Sequence, residues 1–230
     1  AADINRLASD VESMLDAKRA LLLGISHELR TPLSRMRLVL EFVDDEDSVE
    51  SLKSEIVEME KIVVSLLEAE RLNSRHAQLN RSDVDVGSLV TDLVDDFFDR
   101  DRHRIRVELP AEPIRASLDD ARVTLLLKNL VANSLRYSRA EDGPIIITVD
   151  TDNEDVVLTV ADHGPGLSKE QAAHIGEPFY RPDPSRTRDS GGTGLGLYLA
   201  SLVATAHGGE LSLLDTRGQG AKFAARLPAA

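Results

Sequence analysis

Apolar positions recur on a helical period from the beginning of the chain. Ile4, Leu7, Val11 and Met14 are spaced three, four and three apart, and Leu22, Ile25, Leu29, Leu33, Met36 and Leu40 carry an apolar stripe onward. This spacing predicts one long helix over 3–43. The acidic run Asp44-Asp45-Glu46-Asp47 breaks it. Asp47 is placed to cap a second helix, with Glu50 three residues on as its capping-box partner. Leu52, Ile56, Met59, Val63 and Leu66 then form a second stripe. The expectation is a helical hairpin with a short connection. Two helices alone cannot bury such stripes on every contacting side, whereas two hairpins paired into a four-helix bundle can. A homodimer is therefore expected; the alternative is packing of the stripe on another part of the same chain.

The segment 73–83 is polar and without period, and reads as a linker. Beyond it the pattern becomes mixed. Helices are predicted over 84–98, 121–137 and 193–207, the last closed by Gly208. Strands are predicted over 104–109, 114–118, 145–150, 156–161, 210–214 and 221–227, with a turn at Asp152-Asn153. Helices on one face of a mixed sheet form an α/β sandwich.

Composition narrows the function classes. Apolar residues make up 42% of 230, enough for a packed core. No apolar run approaches the roughly 20 residues of a membrane span, and no signal-peptide pattern is present, so the expectation is a soluble chain. A net charge of −13 argues against nucleic acid as a partner. The absence of cysteine removes disulfides and thiolate metal sites. Aromatics at 3% leave little for a large aromatic ligand cage.

Candidate chemistry lies in a few short stretches. In Ser26-His27-Glu28-Leu29-Arg30-Thr31-Pro32-Leu33, His27 falls about 160° from the centre of the apolar stripe and faces water. Thr31 lies on the same face. A lone exposed histidine is ordinarily a surface residue, but Glu28 beside it can hold one tautomer and accept a proton as the other nitrogen attacks. Imidazole titrates near ~6.5, so much of it is neutral and nucleophilic at pH 7. Pro32 withholds a backbone donor from Glu28 and loosens that turn. A zinc-protease reading of His-Glu-x-x-His fails because the fifth position is Thr31.

On the predicted helix over 121–137, Asn129 and Asn133 share a face that Arg136 and Tyr137 extend. Carboxamide oxygens suit Mg²⁺, which binds through few protein ligands plus phosphate oxygens. Asn133 is the first candidate metal ligand, with Asn129 beside it. Asp162 precedes Gly164-Pro165-Gly166, where a carboxylate can accept from an adenine amino group and repel the carbonyl of guanine. Gly191-Gly192-Thr193-Gly194-Leu195-Gly196-Leu197 opens a helix, and free N–H groups with the helix dipole favour phosphate there.

Taken in order, these stretches resemble the H, N, G1, F and G2 boxes of the sensor histidine kinases of two-component signalling, over nearly the whole chain. The resemblance implies a helical hairpin forming a dimeric four-helix bundle, followed by an α/β sandwich of the Bergerat type shared with gyrase- and Hsp90-like ATPases. It implies ATP and Mg²⁺ as cofactors, His27 as phosphate acceptor with Glu28 aiding transfer, and a phosphatase role for Thr31. It implies nucleotide contacts from Asn129, Asn133, Arg136, Tyr137, Asp162, Gly164, Gly166, Gly192, Thr193, Gly194, Leu195 and Gly196. The segment 167–190 resembles the family's ATP lid, and Glu177-Pro178-Phe179-Tyr180-Arg181 its F box, with Phe179 as lid anchor and Arg181 reaching the γ-phosphate or the acceptor helix. Ser134 stands where alanine is common in the family. Residues 1–20 are similar to the end of a HAMP-type linker or to a plain coiled-coil extension. Residues 21–75 correspond to the dimerisation and phosphotransfer domain, 76–83 to a linker and 84–230 to the catalytic domain.

Three activities come into question. ATPases of the wider superfamily carry a glutamate where this chain has Asn129, which cannot serve as a base, so a free-standing ATPase ranks below a kinase. A silent nucleotide-sensing scaffold would need a lost box, and all five are intact. The resemblance thus implies a protein-histidine kinase, acting on a separate response-regulator receiver domain. The fragment is expected in the cytoplasm, with the membrane reached only through an upstream segment.

Overall fold

The computed structural model describes residues 25, 28–29, 31–39, 46–73, 79–181, 192–215 and 220–229. Helix α1 is described at 31–39, with Ile25, Glu28 and Leu29 also helical. Helix α2 (Glu46–Asn73) is joined to α1 by an Arg35–Glu55 ion pair of 2.8 Å. Glu46 is already helical, so Asp47 belongs to the first turn of α2 rather than capping it, where its charge still suits the helix dipole.

The mixed half follows. Strand β1 (Ser82–Asp85) pairs antiparallel with β3 (Arg115–Leu118) in a separate two-stranded ribbon. The main sheet has the order β2-β4-β5-β7-β6, from β2 (Ile105–Glu108), β4 (Ile145–Asp152), β5 (Asp155–Ala161), β6 (Glu210–Asp215) and β7 (Lys222–Pro228). Only the β2–β4 pairing is parallel. Helices α3 (Val86–Phe97), α4 (Asp120–Tyr137) and α6 (Gly196–Ala206) pack against it, and the short α5 (Lys169–His174) precedes the glycine-rich turn. The expected α/β sandwich is borne out.

The period-two pattern explains the core. The register aligns Val107, Ile147, Val160, Phe223 and Leu213 across all five strands, and Val149, Leu158, Ala225 and Leu211 in the next row. Val123, Leu126, Leu127, Leu130 and Val131 of α4 are fully buried in the same core. The rows facing away are more polar: Glu108, Thr148, Thr159 and Ser212 lie in line, and Arg226 pairs with Asp152 and Asp155.

The predicted elements shift at their ends. Helix α3 begins at Val86, not 84, because Val84 pairs with Ala116 in the ribbon and Asp85 caps the helix by accepting from Ser88 N. The β4–β5 turn is Asn153-Glu154, one residue later than expected; Asp152 still pairs with Asp155, and Asn153 takes φ of 59°. Helix α6 begins at Gly196, not 193, since 193–195 form a turn.

The last turns of α2 join the core of the mixed half. Ala69 and Leu72 are buried in the cluster that holds Leu126, Tyr198 and Val203, and Ile25 packs against it. Asn73 Nδ2 donates to Tyr198 Oη at 2.8 Å, and Glu68 pairs with Arg122. Along the rest of the hairpin, Leu33, Leu38, Val49, Ile56, Val57, Val63, Val64 and Leu67 are exposed.

Candidate functional site

Asp162 follows β5 and is buried at 7% exposure. Its backbone N donates to Ala221 O. Its Oδ1 accepts from Gly164 N at 2.9 Å and Ala221 N at 3.0 Å, and its Oδ2 accepts from Ser134 Oγ at 3.2 Å. Two strand ends and one helix thus hold one carboxylate. The arrangement needs glycine at 220, where φ is +99° and a Cβ would stand 1.8 Å from Asp162 O.

Helix α4 brings the next group. Asp119 caps it by accepting from Arg122 N, and its apolar face locks into the core. That leaves Asn129 and Asn133 half-buried and Arg136 and Tyr137 exposed on other faces. Asn129 Nδ2 donates to Leu125 O, which turns its Oδ1 toward Gly196 at the start of α6. Arg136 reaches the glycine-rich turn, with Nη1 1.9 Å from the place a Cβ on Gly192 would take. Tyr137 places its carbonyl against Gly164.

The glycine-rich turn closes the site. Leu195 is fully buried and donates its N–H to Thr193 Oγ1 at 3.3 Å. Among the described residues no side chain caps the α6 N-terminus, so its first-turn N–H groups keep their donor capacity there. Gly194 has φ of +70° and lies against the Phe179 backbone, and Phe179 N donates to Gly194 O at 3.1 Å. Phe179 itself takes φ of +64°. Gly166 (φ +70°) ends the turn after Asp162, and Arg181 is half-buried beyond Phe179.

The structure therefore brings Asn129 to Gly196, Arg136 to Gly192, Tyr137 and Asp162 to Gly164, and Phe179 to Gly194, whereas Asn133, Gly166 and Arg181 lie on the same segments. His27 lies outside the described residues. Glu28 and Thr31 lie on α1, Glu28 half-buried and Thr31 exposed. Among the described residues no cluster of three or more His, Cys, Asp or Glu could hold a metal. A cation here would rest on carboxamides and phosphate oxygens, as the chemistry of Asn133 allows.

Two supports were not singled out in the sequence. Gly220 and Ala221 hold Asp162 from a distant strand; their one signal is a glycine just before the last β-rich run. Asp119 and His207 tie the two helices: Asp119 N donates to His207 Nε2 at 3.2 Å, and His207 Nδ1 meets Val203 O at 2.8 Å. Asp119 Oδ2 accepts from Asn80 N, and Arg81 donates to His207 O, so the stretch before β1 is anchored on this pair. Burial pushes the His207 imidazole below its ordinary range.

Two family models match the chain. Residues 17–75 match "His Kinase A (phospho-acceptor) domain", and residues 118–230 match "Histidine kinase-, DNA gyrase B-, and HSP90-like ATPase". The chain belongs to the two-component sensor histidine kinases. Among the histidine kinases it is similar to is sensor protein RstB of Escherichia coli, 35% identical over 97% of this chain and 52% of that one. Sensor histidine kinase MtrB of Mycobacterium tuberculosis is 33% identical over 99% of this chain and 42% of its own. The chain thus spans about half the length of the curated histidine kinases it matches. In solved structures, the Acinetobacter baumannii histidine kinase AdeS superposes with a TM-score of 0.72 at 24% identity, covering 88% of this chain and 98% of that one. The histidine kinase ThkA, solved in complex with response regulator protein TrrA, gives 0.75 at 21% identity, covering 95% and 64%. At these identities the likeness is one of fold.

Proposed function

We propose that this chain is the kinase portion of a longer sensor protein and transfers the γ-phosphoryl group of Mg-ATP to His27. The observation that carries this is the gathering of Asp162, Asn133, Arg136 and the Gly192–Gly196 turn around one end of α4. Asp162 accepts the adenine amino group, and the uncapped turn of α6 with Arg136 receives the phosphates. Asn133, with Asn129 beside it, would hold Mg²⁺, which would supply charge neutralisation on the phosphate oxygens. Phe179 anchors the lid on Gly194, and Arg181 extends from it toward phosphate.

The His27 ring nitrogen attacks the γ-phosphorus in line, the bond to the β-bridging oxygen breaks, and ADP leaves. Glu28 takes the proton from the other ring nitrogen and leaves a phosphoramidate. Asn129 has no basic group with which to activate water, which favours transfer over hydrolysis. The phosphoryl group then passes to an aspartate of a response regulator, and Thr31 orients water for the reverse dephosphorylation of that regulator. The exposed stripe from Leu33 to Leu67 pairs two hairpins into a four-helix homodimer. Residues 21–75 act as the dimerisation and phosphotransfer domain and 84–230 as the catalytic domain, joined by 76–83. Residues 1–20, which lie outside the described residues, act as the signalling segment that connects this portion to a membrane-anchored sensor, which leaves it in the cytoplasm.

The test is incubation with radiolabelled ATP and Mg²⁺. An acid-labile, base-stable label that vanishes in His27→Ala while ATP binding persists supports the assignment. A label that survives in His27→Ala overturns it.

A further inference from the structure

Ser134 is fully buried one residue past Asn133, and its hydroxyl has a single proton to give. It gives that proton to Asp162 Oδ2. The carboxylate therefore has an asymmetric set of partners. Among the described residues, Oδ1 is filled by two backbone donors, Gly164 N and Ala221 N, whereas Oδ2 has one donor and one lone-pair position open. The two N–H groups restrain one oxygen only; rotation of the other is stopped by Ser134. The backbone beneath the serine is also fixed, since Ser138 Oγ donates to Ser134 O at 2.7 Å.

We propose that Ser134 is a positioning residue for purine recognition: its hydroxyl fixes the plane of Asp162 and leaves one Oδ2 lone pair aimed at an exocyclic amino group. This rests on the reading of Asp162 as the adenine acceptor. With alanine at 134, Oδ2 has two open positions in a buried site, and water or a turned carboxylate competes with the ligand. Such a loss acts only on a ligand that carries the amino group.

Binding of ATP and of purine riboside triphosphate, which lacks the 6-amino group, is measured in Mg²⁺ for the unaltered chain and for Ser134→Ala and Ser134→Thr. The unaltered chain is expected to prefer ATP. Ser134→Ala should lose about three- to tenfold in ATP affinity and nothing toward the amino-free nucleotide, the size of one net hydrogen bond. Ser134→Thr, which keeps the hydroxyl, should restore the preference for ATP. Equal losses for both nucleotides, or none for either, overturn the role of Ser134. Equal binding of the two nucleotides by the unaltered chain instead overturns the adenine reading of Asp162, and the inference with it.

Discussion

The two halves of this chain spend their apolar residues differently. In the mixed half, β2, β4, β5, β7 and β6 align rows of apolar side chains across five strands, and α4 seals them with six fully buried residues from Val123 to Ser134. In the hairpin, only Ile62, Ala69 and Leu72 of α2 are buried, while Ile56, Val57, Val63, Val64 and Leu67 stay 44–59% exposed. The first half is complete within one chain. The second carries a helical stripe that stays exposed among the described residues, so stability in one region and the proposed association in the other should respond to different substitutions.

That contrast is broken most strongly at Gly220. Gly220→Val places side-chain atoms on Asp162 O at a positive φ, and should cost about 4 kcal/mol in denaturant unfolding and abolish nucleotide binding. Leu126→Ala opens a cavity among the α4 core residues and should cost about 3 kcal/mol in the same measurement. Acid acts on the mixed half as well. The native His207 takes an N–H from Asp119 and is held neutral by burial, with Arg81 opposing and Asp119 favouring its charge. Its native pKa is lowered, so the unfolded chain binds the proton first. Stability is full above about pH 6.5, falls as pH drops below that value, and levels off below the native pKa. Thermal unfolding from pH 7.5 to 5 should show this decline, and His207→Gln should flatten it. Arg122→Ala removes one partner of Glu68, which keeps Arg71, and should cost about 0.5–1 kcal/mol. Val64→Ala should change monomer unfolding by less than about 0.5 kcal/mol, yet weaken self-association in sedimentation.

The fold class and the longer elements were legible because period-two and period-3.6 patterns are long in β4, β5, α4 and α6, whereas the strand order and the six-residue α5 were not. Nor were other short elements. Strand β1 is four residues with only Val84 apolar, so its pairing with β3 decides where α3 begins. The α6 start moved because Gly194 turns left-handed and Thr193 bonds locally, which composition does not announce. The residues proposed to face nucleotide stand out in the sequence because glycine clusters and paired asparagines carry chemistry in their spacing. Their supports do not: Ala221 meets Asp162 from 59 positions away, and Ser134 differs from a plain core residue only through the carboxylate it faces.

Tyr198 gives the joint between the halves a thermodynamic character. It lies in the first turn of α6, the same turn that is proposed to receive the phosphates, and its hydroxyl accepts from Asn73 at the end of α2. With nucleotide bound there, as proposed, occupancy of that turn and placement of α2 become linked variables. Whatever factor a shift of α2 imposes on nucleotide affinity, bound nucleotide returns to that shift by the same factor.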